Sequence, residues 1–225
     1  VVNISYRLAP KHPYPAAIED TCAAYCWLAD NIDQLGGDRN RVAVAGESAG
    51  GNLITALTLA ACQQRPEAWA REVYETNLVP RAAMPFCAIL EVTNPGRFSQ
   101  RNPKIPRWVD GMLRDAAASY LHGYSHEPSE ATELADPLRV IEDAAGVAHD
   151  SRFPRQLPAF FAPVGTRDPL LDDTRRLEKA LRTLGVPVEA RYYSGGIHAF
   201  HALVWDPAAR RCWRDALAFL DRHMR

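Results

Sequence analysis

Residues 41–59, RVAVAGESAGGNLITALTL, constrain this chain more than any other stretch. They read as a short buried strand, a tight glycine-flanked turn and a helix of small residues. Ser48 sits at the tip of the turn, inside Gly46-Glu47-Ser48-Ala49-Gly50, a G-x-S-x-G pattern. A serine hydroxyl attacks a carbonyl only when it stands clear of the backbone beside a base. A sharp turn lifts it clear, and glycines on both flanks let strand and helix pass closely without Cβ clashes. The helix that follows aims its N-terminus at the same point, which suits a developing oxyanion. Three fixed small residues are a weak signal by themselves. The Val/Ala strand before them and the apolar helix after them make Ser48 a candidate nucleophile.

The rest of the chain repeats the alternation of strand and helix. Residues 1–6 are β-branched and apolar, a strand candidate, and the three prolines within 7–15 make a rigid loop. Pro15 can start a helix with Ile18, Cys22, Tyr25 and Leu28 at helical spacing. Residues 31–40 read as a loop, and 65–81 as a short helix or an excursion. A strand is predicted over 86–92. Residues 93–153 carry many prolines, one helix pattern at 109–121 and no strand pattern. A connection of about 60 residues is too long for a simple link and reads as a lid or pocket cover. A strand follows at 158–164, then a helix capped by Asp172-Asp173-Thr174, with Leu177, Leu181 and Leu184 on one face and Gly185 closing it. Residues 188–193 form the last strand. The chain ends on a helix with Trp213, Leu217, Leu220 and Met224 at helical spacing. Short apolar strands alternating with amphipathic helices imply one α/β domain over 1–225, a mostly parallel sheet with helices on both faces.

A chain of 225 residues suffices for one large domain with a substantial core. Its net charge of −1 gives no electrostatic case for nucleic acid or an anionic membrane. No run of 18 apolar residues suits a membrane span. The five cysteines are scattered through apolar patterns, as small buried hydrophobes in a reducing compartment would be, so a cytoplasmic location is expected. The sequence opens inside a strand pattern without Met, which reads as a piece lacking an N-terminal portion. Oligomeric state is left open.

A serine nucleophile needs a base, and the base needs an orienting carboxylate, on loops at the C-terminal ends of strands. Asp168 follows the 158–164 strand and His198 follows the 188–193 strand. Asp168 could instead be a turn carboxylate. Asp172 and Asp173 are its rivals and suit a helix N-terminus better. His201 is the rival of His198. His198-x-x-His201 lacks a third nearby ligand, and H-E-x-x-H is absent, so a metal role is not expected. The order Ser48, Asp168, His198 is one of the known chain orders for such a set.

Tyr6-Arg7-Leu8-Ala9-Pro10 with His12-Pro13 and Pro15-Ala16-Ala17, Gly46-Glu47-Ser48-Ala49-Gly50-Gly51-Asn52, Asp168-Pro169-Leu170 and His198-Ala199-Phe200 together resemble the hormone-sensitive-lipase-like, bacterial carboxylesterase branch of the α/β-hydrolases. They span nearly the whole chain in the family's order. The resemblance implies an α/β-hydrolase fold and a triad of Ser48, Asp168 and His198. It implies an oxyanion donor in the Ala49 backbone N–H, a cap-like insertion at about 93–153, and structural roles for Tyr6-Arg7 and Glu19-Asp20 in tying the first loop to the elbow. The implied reaction is hydrolysis of a small-molecule carboxylic ester through an acyl-enzyme, with no cofactor. Amide or N-formyl hydrolysis on the same triad, and a non-catalytic small-molecule binding protein, are the alternatives. Trp108, Val109, Met112, Leu113 and Tyr120 are candidates for an apolar pocket or for packing of the cap. The family's His-Gly-Gly motif is absent from this sequence. Its strand would lie between residues 1–6 and the elbow strand, so the expected sheet lacks N-terminal strands and one central strand, and the cap is partial. Each missing oxyanion donor costs about 10²–10³ in rate. The expectation is an active esterase in the parent protein and an impaired one in residues 1–225 alone.

Overall fold

A computed structural model describes residues 1–103, 105–124, 127–147 and 152–225. Its elements are α1 (Ala16–Asn31), β1 (Ala43–Glu47), α2 (Ala49–Cys62), α3 (Ala68–Glu75), β2 (Ala82–Phe86), α4 (Arg97–Arg101), α5 (Arg107–Tyr120), a 3₁₀ turn (Glu130–Ala135), α6 (Pro137–Ala145), β3 (Ala159–Gly165), α7 (Leu171–Thr183), β4 (Val188–Tyr193), a short 3₁₀ turn (Phe200–Ala202) and α8 (Pro207–His223). The four strands pair in sequence order and all in parallel. Side chains alternate across a strand, so β3 feeds two cores. Phe160 joins Ile18, Leu57 and Leu177 on one face, where α1, α2, α6 and α7 contribute. Phe161 joins Met84, Phe86 and Phe219 on the other, under α8. Helices on both faces are therefore what the two-sided apolar strands require.

Helix α2 is buried from Gly51 to Cys62, as expected of a helix apolar on every side. Its two threonines tolerate burial because Thr55 and Thr58 donate to the carbonyls of Gly51 and Ile54 at 2.7 Å.

Five expectations change. Residues 1–6 are not a strand: they are coil, and Val1 and Val2 are exposed. Nothing in the sheet hydrogen-bonds to them, and a β-branched run becomes a strand only with a ladder partner. The strand predicted at 86–92 lies at Ala82–Phe86. Pro85 sits opposite Gly46 within the parallel ladder, an uncommon place for a residue without a backbone N–H. The chain leaves the sheet at Cys87, whose φ is 35°.

Within 93–153 the described residues form α4, α5, a 3₁₀ turn and α6 rather than one helix. Leu138, Val140 and Ile141 of α6 belong to the main core. Helix α7 is not capped by the 172–174 run; Leu170 occupies the cap position, and Asp173 is fully buried in the first turn. Asp173 accepts from Arg97 at 2.6 Å and from the Leu90 N–H at 2.8 Å. A buried carboxylate needs such partners.

The last change concerns α8. Its buried face is Ala208, Ala209, Cys212, Ala216 and Phe219. Trp213 is 44% exposed and Leu217 63%. Of the expected stripe, Leu220 and Met224 pack against the same core from partly buried positions, so the buried face overlaps the expected one rather than replacing it.

Candidate active site

The turn after β1 puts Ser48 in a strained conformation, φ 54° and ψ −113°. Strain of this kind persists only where the surroundings impose it. Here the Ser48 N–H donates to the Phe86 carbonyl at 2.9 Å, and the Ser48 carbonyl accepts from Asn52 and Ile89 at 3.3 Å. Gly46 permits the tight turn: a Cβ there would lie 2.2 Å from the Gly50 carbonyl oxygen. Ala49 opens α2, where a backbone N–H has no acceptor within the helix.

Two more loops arrive from β3 and β4 and are stitched together. Thr166 N–H donates to Tyr193 O, and Arg167 N–H to Gly196 O, both at 2.9 Å. Gly195 N–H donates to the Thr166 hydroxyl at 2.9 Å. The stitching sets Asp168 beside His198. The side chain of Asp168 is fully buried, and one of its oxygens accepts from the Leu170 N–H at 2.8 Å. Its other oxygen lies 3.0 Å from His198 Nδ1, and His198 Nε2 lies 3.1 Å from Ser48 Oγ. One Asp168 oxygen thus bonds within its own turn, while the other faces the His198 ring. The hydrogen bond to Asp168 chiefly, and the Cys87 thiol next, raise His198 above the ordinary imidazole value against the pull of burial.

His201 does not compete for Ser48. It is buried, its Nε2 lies 2.8 Å from the Glu47 carboxylate, and Trp213 Nε1 donates to its carbonyl at 2.9 Å. The elbow residue Glu47 is thereby tied to the His198 loop. Arg7 holds Asp20 and Glu19 of α1, rather than the elbow, through Nε and Nη2 at 2.9 Å. The first loop nevertheless reaches the site, because Tyr6 and Leu8 line a cavity of about 180 Å³ with Ala49, Leu53, Ile89 and Tyr120. Of the five apolar pocket candidates, only Tyr120 lines it. Trp108 and Met112 are exposed, while Val109 and Leu113 pack against Phe98 and Leu170.

One residue at this site carried no sequence signal. Cys87, fully buried, sits where β2 ends. Its Sγ, an Asp168 carboxylate oxygen and a His198 ring nitrogen all lie within 4.8 Å of one another. Burial pushes the Cys87 thiol up, but its interactions with His198 and His201 outweigh that and leave it below the usual thiol value. Cys87 appears in sequence only as one of several apolar-strand cysteines; the turn at the end of β2 brings it to the site. Cys22, Cys62 and Cys212 are buried free thiols elsewhere.

A family model for the alpha/beta hydrolase fold matches residues 1–202. Carboxylesterase NlhH of Mycobacterium tuberculosis is 34% identical over 228 residues, covering 99% of this chain and 63% of the relative. Hormone-sensitive lipase of Mus musculus is 44% identical over 107 residues, covering 47% of this chain and 13% of that one. Among solved structures, a bacterial heroin esterase superposes with a TM-score of 0.75 at 26% identity, over 99% of this chain and 64% of that one. The chain spans less than two thirds of the length of these relatives.

Proposed function

Because the chain belongs to the α/β-hydrolase fold family, we propose that the protein carrying it is a serine hydrolase cleaving carboxylic esters of small molecules. The observation that supports this most is the unbroken run of hydrogen bonds from Asp168 through His198 to Ser48, at 3.0 and 3.1 Å. In this reading Ser48, Asp168 and His198 are the catalytic triad. His198 Nε2 takes the Ser48 proton as Oγ attacks the ester carbonyl carbon, and Asp168 holds the Nδ1 proton and steadies the imidazolium. The Ala49 N–H donates to the oxyanion of the tetrahedral intermediate. Collapse expels the alcohol, which takes its proton from His198. Water, deprotonated by the same imidazole, then cleaves the acyl-enzyme. The first proton transfer uses groups already hydrogen-bonded to one another. The apolar cavity beside Ala49 suits a small or medium acyl group. Esters are preferred to amides because the relatives are named for ester hydrolysis.

A fluorophosphonate probe tests this reading. Mass mapping is expected to place the adduct on Ser48, and Ser48→Ala is expected to abolish it. The same variant should lower p-nitrophenyl butyrate turnover by about 10⁶-fold. Absence of labelling would favour a binding protein, and faster cleavage of the matching anilide would replace ester by amide.

A further inference from the structure

Cys87 has no part in the acyl-transfer steps, yet it shares the centre of the site. Its sulfur, an Asp168 oxygen and a His198 nitrogen converge within 4.8 Å of one another. Around a tetrahedral zinc ion, sulfur, nitrogen and oxygen ligands stand about 3.3–3.5 Å apart, so closure needs these groups to draw in by about 1 Å or a little more. His198 can supply that movement, since its side chain is 37% exposed and its loop starts at Gly195, φ 73°. A second observation points the same way. His201, only 4% exposed, has its ring 5.0 Å from that of Phe86, the residue before Cys87. Its Nε2 is taken by Glu47, and its Nδ1 is buried without a hydrogen-bond partner. A thiol, a carboxylate and an imidazole, with an orphaned imidazole nitrogen behind them, form a mixed S/O/N donor set of borderline softness, which favours Zn²⁺ over Mg²⁺ or Ca²⁺.

We propose that Cys87, Asp168 and His198 form a binding site for a thiophilic divalent cation, Zn²⁺ being the fitting one, and that its occupancy switches the triad off. On binding, the Cys87 proton leaves to solvent and the thiolate, the carboxylate and the imidazole lone pair bond to the metal. A neutral imidazole has a single lone pair. Committed to zinc through Nε2, it can no longer take the Ser48 proton; committed through Nδ1, it loses Asp168. A water, or Ser48 Oγ, completes the fourth position. The inhibitory half rests on the triad reading above; the binding half does not.

The test separates them. Zinc uptake is measured by competition with a chromophoric zinc indicator, and Ser48 labelling by the fluorophosphonate probe with zinc and again after a chelator. We expect one zinc per chain, labelling blocked by zinc and restored by chelation. Cys87→Ala should weaken uptake by roughly 10–100-fold or more and be labelled equally with and without zinc, whereas Cys212→Ala should behave as the unaltered chain. The unaltered chain loaded with Co²⁺ should show a thiolate-to-metal charge-transfer band, a readout that needs no variant should Cys87→Ala fail to fold. Absence of uptake or of the band, or a folded Cys87→Ala that binds zinc as tightly, overturns the site. Zinc uptake that leaves labelling untouched overturns the switch. Labelling that fails even without zinc counts against the hydrolase reading, and the site is then judged on uptake and the cobalt band.

Discussion

Gly165 has no room for a side chain: a Cβ there would sit 2.1 Å from the carbonyl oxygen of Gly196. That contact is where the loop bearing Asp168 crosses the loop bearing His198, next to the hydrogen bonds that join the two loops. Gly165→Ala must push them apart. The expected cost is about 1–3 kcal/mol of stability, as for other overpacked sites, read as a lower urea midpoint. Fluorophosphonate labelling of Ser48 should slow under conditions where the variant remains folded, because the 3.0 Å contact between Asp168 and His198 is what the shift opens. Labelling as fast as in the unaltered chain would contradict this. At this scale the sequence is legible where a residue announces a local geometry. Ser48 stands in a turn that Gly46 permits, though Gly50 has room for a side chain, and Asp168 and His198 each stand just past an apolar strand. Gly165 and Cys87 were not legible, because what makes them matter is a neighbour from another loop or another strand end. The Glu47 to His201 bond was hidden for the same reason, with 154 positions separating its partners.

An apolar period locates an element better than it orients it. Helix α8 shows this: Trp213, Leu217, Leu220 and Met224 have the spacing of a core face, and so do Cys212, Ala216 and Phe219. The structure buries the second set against the sheet, with the Phe219 ring 5.5 Å from that of Phe161, keeps Leu220 and Met224 partly buried beside it, and leaves Leu217 in solvent. Trp213 is held at the rim, its indole N–H bound to the His201 carbonyl. Spacing alone cannot choose between two stripes about a third of a turn apart; the thickness available between helix and sheet chooses, and alanines and a cysteine fit where tryptophan does not. Phe219→Ala should therefore cost about 3–5 kcal/mol in urea unfolding, and Leu217→Gln less than about 0.5 kcal/mol. The reverse order would mean that the helix is turned the other way. The shift of β2 from 86–92 to 82–86 has a related cause. Leu90 and Val92 are as apolar and buried as a strand residue, but their N–H groups go to the carboxylates of Asp173 and Asp136 instead of to a neighbouring strand. Those carboxylates lie 83 and 44 positions further along the chain.

At the scale of the whole molecule, the alternation of strands and helices was enough to predict a parallel sheet covered on both faces, because strands apolar on both sides, as β2 and β3 are, need cover on both. Fold class follows from that one requirement, whereas the number of strands depends on which segments find a ladder partner, and residues 1–6 find none. The two-sidedness itself can be measured at β3. Phe160 and Phe161 are adjacent, both fully buried, and point to opposite cores. Phe160→Leu and Phe161→Leu should each cost about 1 kcal/mol, a change of shape with little loss of apolar area. Their side chains belong to different clusters with the strand backbone between them. The double variant should then lose the sum of the two, with an interaction energy below about 0.5 kcal/mol despite adjacency in sequence, whereas residues packed in one core commonly couple by more. A coupling well above that value would mean that the two faces respond as one body, and that the sheet transmits a packing change from α8 to the helices on its far side. The additive outcome bears on the site as well. Asp168 and His198 hang from the ends of β3 and β4, so softening one core should move them only through those two strands, and labelling of Ser48 in either single variant should stay close to that of the unaltered chain.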